Sequence, residues 1–299
     1  MNWTLFTAKG ETDCCAMNDP IIASKKSIEE IYPEVFKEYL DSNYARDSGF
    51  RPMLQTRLHV TESVQVAEFL PPGGTLLDIG TGFGIVPRIM QRLGAHAISA
   101  DFPTTGGSGA LQRLIDLGIE GHFLQVGIDP LPVPDESVDV VFVGNVIEHL
   151  PHSPRAFMAD IKRVLKPGGH LVMDTKNAID LKTRLKVLFG VPNWPPIRTF
   201  FHADFNAHHH KEYTLAELKQ LFELAGFASI QGYPFECFFF QSLKRLGTIQ
   251  AMGAPRSELS EFGEGFNFLH PYEYGRIVAL LLTKLFPNLR DCIMVTGRK

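Results

Sequence analysis

Thr75-Leu76-Leu77-Asp78-Ile79-Gly80-Thr81-Gly82-Phe83-Gly84 is the stretch whose reading decides the fold. A short apolar run closed by glycines reads as a buried strand breaking into a turn. Glycines at alternating positions let the backbone turn tightly and approach a ligand closely, because no Cβ intervenes. Pro87 to Leu93 follows at helical spacing and stops at Gly94. Strand, glycine turn and helix in that order aim free N–H groups and the positive end of the helix dipole at the turn. In an open parallel sheet that position, outside the carboxyl end of a strand, suits a nucleotide-like ligand.

Outward from this turn the chain keeps alternating. Ala95 to Asp101, Gly121 to Gly127, Val138 to Val143 and His170 to Thr175 read as strands. Leu111 to Leu117 and Ser153 to Leu165 read as helices, the latter with Ser153 as N-cap, Pro154 at its first position and Pro167-Gly168-Gly169 beyond its end. Later in the chain Thr214 to Ala225 carries a capping box, Thr214 with Glu217, and ends at Gly226. Ala228 to Tyr233 and Asp291 to Arg298 add two strands. Continuous apolar strands alternating with helices predict an α/β fold: a Rossmann-like, doubly wound, seven-stranded, mostly parallel sheet covered on both faces.

Three segments lie outside that plan. Residues 1–72 form a lead-in, with helices expected over Ser27 to Tyr44 and Met53 to Leu70, ending at Pro71-Pro72-Gly73-Gly74. The main domain then spans 73–299, with cap insertions at 177–213 and 237–289. The first insertion has no clean period; the second holds two expected helices, one over Tyr272 to Phe286. The insertions and lead-in hold many of the 23 Phe, among them Phe50, Phe189, Phe200, Phe201, Phe205, Phe238 and Phe266. Such rings suit a pocket that excludes water, and equally the core of a cap.

Composition narrows the class. The 299 residues are 44% hydrophobic and 21% charged, which excludes wholesale disorder. A net charge of -4 gives no footprint for nucleic acid. No apolar run reaches the roughly 20 residues of a membrane span; Ile277 to Phe286 is broken by Lys284. Met1 to Pro20 lacks the basic start and apolar core of a signal peptide. Cys14, Cys15, Cys237 and Cys292 make no CxxC pair, so free thiols in a cytoplasmic setting are expected.

The glycine spacing is G-x-G-x-G, not the G-x-G-x-x-G of dinucleotide folds, since Ile85 stands where the third glycine would be. With Asp78 two residues ahead, it resembles motif I of the class I S-adenosylmethionine (SAM)-dependent methyltransferases. Asp101 at the end of the second strand, Leu131-Pro-Val-Pro-Asp-Glu-Ser-Val-Asp139, Asn145-Val-Ile-Glu-His-Leu150 and Leu165-Lys-Pro-Gly-Gly-His-Leu171 resemble later motifs of that family, in the right order from Leu76 to Thr175. The resemblance implies SAM as cofactor. It places Gly80, Thr81, Gly82 and Gly84 around the methionine moiety, with Asp78 orienting that loop. Asp101 would accept from the ribose hydroxyls and Phe102 would pack on the adenine. Ile128 and Asp129 would lie near the adenine amino group, Asp129 otherwise being a turn residue before Pro130. Asn145 completes the cofactor set.

Methyl transfer from a sulfonium is an in-line displacement, so the protein supplies position, desolvation and sometimes a base. Histidine is the usual base near neutral pH. His149 follows the fourth strand, and His202, His208, His209 and His210 precede Lys211-Glu212-Tyr213-Thr214 in a stretch that resembles part of a small-molecule methyltransferase subgroup. Three roles are open for these histidines: a general base, with His149, His209 and His210 as candidates; a metal pair with Glu148 or Asp174 as further ligand; or support of the loop. No HxxxH pair favours the metal, and no metal is expected. Arg46, Arg51 and Arg57 are either carboxylate partners or solvated charges.

The expected function is methyl transfer from SAM to a mid-sized, partly apolar small molecule, O-methylation ahead of N- or C-methylation. A non-catalytic SAM-binding member, a nicotinamide oxidoreductase and a nucleic-acid or protein methyltransferase are the competing classes. A homodimer through the Tyr272 to Phe286 helix is a further expectation.

Overall fold

The computed structural model describes residues 20–42, 56–102, 107–191, 201, 209–237, 278–279 and 281–299. Helix α1 (Pro20–Leu40) and α2 (Thr56–Phe69) lead into strand β1 (Thr75–Ile79), α3 (Ile85–Arg92) and β2 (His96–Asp101). There follow α4 (Gly107–Asp116), β3 (Glu120–Phe123), β4 (Val138–Gly144), a 3-10 turn (Ile147–His149), α5 (Arg155–Val164) and β5 (Leu165–Lys176). Helices α6 (Leu181–Leu188) and α7 (Leu215–Leu224), β6 (Ala228–Phe235), a second 3-10 turn (Pro287–Leu289) and β7 (Cys292–Arg298) complete the described elements. The seven strands form one sheet in the order β3-β2-β1-β4-β5-β7-β6. β1 to β5 are parallel, and β7 runs antiparallel to both β5 and β6. The expected doubly wound, mostly parallel seven-stranded sheet is therefore present.

Successive side chains of a strand face opposite sides, and here both sides are apolar. Leu77, Ile79, Val141, Val143, Leu171 and Met173 pack into one cluster with Phe157, Met158 and Ile161 of α5 and Leu218 and Phe222 of α7. Leu76, Val140, Phe142 and Val172 pack on the other side with Ile28, Tyr32, Phe36 and Tyr39 of α1, Val66 of α2 and Ile89 of α3. The lead-in helices thus pack, with α3, on one side of the sheet. The chain winds outward from β1 to β3, then returns to β4 on the other side of β1. That reversal opens a crevice at the carboxyl ends of β1 and β4.

Several boundaries differ from the sequence reading. α1 ends at Leu40 and runs through Pro33. α5 begins at Arg155 with Pro154 at the N-cap, so Ser153 is not the cap; its Oγ accepts weakly from Arg155 N at 3.4 Å. A proline has already fixed the backbone there, and no side chain is needed to start the helix. The expected third strand to Gly127 stops at Phe123, because the chain turns at Gln125 to Asp129. Pro167-Gly168-Gly169 is not a turn ahead of β5 but a bulge within it: Leu165 opposes Val138 and His170 opposes Val140. α6 was not expected; Asp180 caps it by accepting from Thr183 N. His202 and His208, most of the 237–289 insertion and Cys14, Cys15, Arg46 and Arg51 lie outside the described residues, as does Tyr272 to Ile277 of the expected dimer helix.

Candidate active site at the sheet switch point

The Asp78 to Gly84 loop sits on the carboxyl end of β1 because three glycines there take left-handed backbone angles. Gly80 has φ +74, and a Cβ on it would stand 2.1 Å from Val146 Cγ2. Only a glycine lets the loop lie against the start of the segment after β4. Gly84, at φ +69, ends the loop as the residue before α3, and a Cβ on it would meet Leu114 at 2.8 Å. Thr81 Oγ1 donates to Asp78 Oδ2 at 2.9 Å, closing the loop on its own carboxylate. Burial pushes Asp78 up to about 7.

Asp101 ends β2 beside this loop and is 6% exposed. Its Oδ2 accepts from Gly82 N at 3.0 Å and its Oδ1 from Phe102 N at 2.7 Å. One bond to each oxygen holds the carboxylate fixed and leaves lone pairs for a pair of ligand hydroxyls. Burial raises its pKa, against the pull of those two N–H groups. Phe102 packs on the edge of the core. Ile128 is exposed, and Asp129 Oδ2 accepts from Gln125 N at 2.7 Å. In this structure Asp129 therefore serves the turn, while Ile128 faces outward beyond β3.

Asn145 follows β4 with φ +52, a left-handed angle rare for anything but glycine, asparagine or aspartate. Asp174 at the end of β5 holds it there: Asn145 N and Nδ2 donate to Asp174 Oδ1 at 2.9 and 3.0 Å. The Glu148 backbone carbonyl accepts from His210 N at 2.7 Å, which brings the histidine loop to the 3-10 turn after β4. His149 and His209 rings meet edge to face, centroids 4.8 Å apart. His209 Nδ1 lies 3.0 Å from Glu212 Oε1, a contact that fixes its tautomer. The structure thus brings His149 and His209 together, with His210 exposed beside them. Side-chain donors of Glu148, His149 and His209 lie within 4.8 Å of one another, so the grouping that spacing alone disfavoured does exist in space. Glu148 is buried, its Oε2 has no hydrogen-bond partner among the described residues, and burial raises its pKa.

Two further contacts were not legible in sequence. Tyr39 of α1 packs on Phe83 of the glycine loop, centroids 5.2 Å apart, with Arg113 over the Tyr39 ring. Glu62 of α2 reaches the carboxyl end of β4, its Oε1 3.4 Å from where a Gly144 Cβ would stand. Neither lead-in residue sits in a motif, so no local signal announces it. Cys237 and Cys292 are buried free thiols.

Residues 77–173 match the family described as a methyltransferase domain. The chain is 35% identical over 107 residues to a ubiquinone biosynthesis O-methyltransferase of Hahella chejuensis, covering 36% of this chain and 44% of that one. A protein of the same description from Cereibacter sphaeroides is 34% identical over 140 residues, 43% of this chain and 56% of that one. The matches thus span about half the length of these curated relatives. Among solved structures, a SAM-dependent methyltransferase of Archaeoglobus fulgidus aligns with TM-score 0.52 at 16% identity, covering 87% of this chain and all of that one. A Haemonchus contortus phosphoethanolamine N-methyltransferase 2, solved with S-adenosyl-L-methionine, aligns with TM-score 0.51 at 16% identity over 88% of this chain and 60% of that one. These structures share the fold. Residues 77–173 are thus similar to a methyltransferase domain, set in the fold that these solved structures share.

Proposed function

We propose that this protein transfers a methyl group from SAM to an oxygen of a mid-sized, partly apolar small molecule. The carrying observation is Asp101: a carboxylate fixed by Gly82 N and Phe102 N, beside three left-handed glycines, at the switch point of the sheet. The residues present fit the cofactor. Gly80 and Gly82 leave backbone exposed to its amino-acid end, Asp101 keeps lone pairs for its ribose hydroxyls, and Phe102 stands next in the chain for its adenine. When bound, SAM supplies an activated methyl group. This chain's residues orient it, exclude water and take a proton from the acceptor.

His209, oriented by Glu212, is the base this reading favours, with His149 against its ring and His210 beside it. The O-methyltransferase descriptions of the relatives support an oxygen acceptor. Transfer to nitrogen or carbon, or cofactor binding without catalysis, is the alternative. A divalent cation on Glu148, His149 and His209 would serve the same acceptor oxygen as a Lewis acid. A chelator separates the two: with a histidine base alone, activity is unchanged in EDTA and lost in His209→Ala.

The proposed organisation keeps 1–72 as a lead-in that covers the sheet, and the insertions at 177–213 and 237–289 as a cap over the acceptor. Among the described residues no helix is long and apolar enough to cross a membrane. Buried free thiols support a cytoplasmic setting, and the net charge of -4 speaks against nucleic acid as acceptor. Light scattering tests the proposed homodimer.

Calorimetric titration with SAM, S-adenosylhomocysteine and NAD, on the protein and on Asp101→Ala, tests the central reading. The expected result is binding of both sulfur ligands and not NAD, weakened at least about tenfold in the variant, the scale of one lost pair of charged hydrogen bonds. Absence of both sulfur ligands from the folded protein overturns it. Acceptors are then screened by a one-methyl mass shift.

A further inference from the structure

Two clusters of three metal-ligating side chains occur among the described residues. One is the Glu148, His149 and His209 group at the 3-10 turn after β4. The other joins Cys237, Asp291 and Cys292, whose two sulfurs and one carboxylate oxygen all lie within 4.8 Å of one another. At bonds of about 2.3 Å, two sulfurs on one tetrahedral zinc stand about 3.8 Å apart, so a closing movement of at most about 1 Å brings the donors onto one ion. All three residues are buried, Cys237 at 0%, Cys292 at 1% and Asp291 at 4% exposed. The sheet places them. Cys292 opens β7 and pairs with Lys176 of β5 on one side and Phe235 of β6 on the other. Cys237 stands two residues beyond Phe235. Phe235, Cys237, Cys292 and Met294 pack in one cluster, so both thiols face the same side.

The backbone holds these donors in place. Cys237 N donates to Asp291 Oδ1 at 2.7 Å, fixing the carboxylate against the segment that carries the first thiol. A carboxylate offers about four lone-pair sites, so that bond leaves capacity for a cation and orients the ligand for it. Asn177 N donates to the Asp291 carbonyl at 2.9 Å, and Asn177 Nδ2 to the carbonyls of Asn288 and Arg290 at 3.1 and 2.7 Å. Arg290 Nη1 donates to the Pro234 carbonyl at 3.0 Å. The chain is thus tied down where it leaves β6 and where it returns to β7. A disulfide is the other use of two neighbouring thiols. By the β6–β7 register Cys237 and Cys292 are diagonal. Diagonal residues of an antiparallel pair stand about 7–8 Å apart, beyond the roughly 4.4–6.8 Å between the Cα atoms of a disulfide. An ion between the sulfurs spans that gap, and the buried carboxylate serves it as a ligand.

We propose that Cys237, Asp291 and Cys292 bind a zinc ion that clips the base of the second insertion. The donor set selects the metal: two thiolates favour a soft or borderline ion, and zinc also accepts a carboxylate oxygen. Three protein ligands leave the fourth position to a water. Burial holds both thiols above the ordinary range, so the ion-free chain carries them protonated. When zinc enters, two S–H bonds break, two zinc–sulfur bonds form and two protons pass to the buffer. The clip closes a loop of about fifty residues, 238–290, and so limits the freedom of the unfolded chain as a cross-link does. It requires neither SAM nor an acceptor and stands independently of the proposed function.

The full-length protein, reduced and stripped of metal, is titrated with zinc alone and with cobalt alone. The expected result is one zinc per chain, with about two protons released per ion by calorimetry in buffers of different ionisation enthalpy. Cobalt should give a thiolate-to-metal charge-transfer band in the near ultraviolet, which the Glu148, His149 and His209 group cannot produce. Zinc at a hundredfold excess over its Kd should raise the melting temperature by about 5 °C. Cys292→Ala should lose both the band and the thermal shift. Asp291→Asn keeps an oxygen to accept from Cys237 N, and should weaken zinc at least about tenfold with the fold intact. His149→Ala combined with His209→Ala should leave the band and the shift unchanged. A folded, reduced protein without the charge-transfer band overturns the proposal, as does a band that survives in Cys292→Ala or a zinc affinity unchanged in Asp291→Asn. A Cys237–Cys292 disulfide in the protein purified without reductant, with no zinc bound after reduction, overturns it as well.

Discussion

Gly80 shows how little freedom the loop residues have. Its φ of +74 carries a backbone cost for any L side chain, and a Cβ would overlap Val146 Cγ2 at 2.1 Å. Gly80→Ala is therefore expected to lower stability by about 1–3 kcal/mol and to weaken SAM binding at least tenfold. Adding Val146→Ala removes the overlap but not the backbone cost, so thermal unfolding should show partial recovery. An unchanged melting temperature in Gly80→Ala would contradict the packing described. The residues of this loop were readable in sequence because their spacing is local: Asp78, the glycines and Asp101 stand at ends of adjacent strands. Glu62 was not, because α2 and β5 are far apart in the chain and only the folded sheet brings them together. His209 was a candidate from its neighbours, but its meeting with His149 depends on the His210 N to Glu148 carbonyl bond, which no spacing rule encodes.

Between elements, α1 does more than cover apolar strands. The Tyr39 ring meets those of Phe36 and Phe83 at tilted angles, tying the lead-in to the glycine loop. Tyr39→Ala is expected to weaken SAM binding about three- to tenfold, roughly 1 kcal/mol, in the same calorimetric titration. Glu34→Ala is the control: its bond to Arg92 is surface-exposed and worth well under about 1 kcal/mol. At the other end, Thr214→Ala breaks the capping box of α7 and should cost about 1 kcal/mol by denaturant unfolding, with SAM affinity unchanged. That box was plain in the sequence, as Thr214 and Glu217 at the required interval. α6 was not, for a physical reason. Only Leu181 and Thr183 are buried, while Leu185 and Leu188 face outward, so no apolar stripe at helical period exists to read.

Over the whole molecule the buried acids set a pH dependence. Asp78 and Asp174 bind protons in the fold near pH 7 and in the unfolded chain only near pH 4. The folded state then holds more protons, so their contribution is lost as pH rises through 7. His59, held at about 3 by burial, works in the opposite sense below about pH 6.5, where the unfolded chain takes up its proton. The clean window is therefore pH 6.5 to 8. There the ligand-free protein should lose about 1 kcal/mol for each raised carboxyl, a few degrees in melting temperature. Asp174→Asn should flatten that slope, and a melting temperature that rises from pH 6.5 to 8 would contradict it. The strand order holds one more consequence, for how the chain is made. β7 lies between β5 and β6 although it follows both in sequence. As the chain leaves the ribosome, β1 to β5 can assemble at once, while β6 waits with no neighbour to bond. Through the synthesis of the segment from Glu236 to Asp291 an unpaired strand hangs beside a half-built sheet. That interval is when chaperones have most to hold and stray chains most to grip.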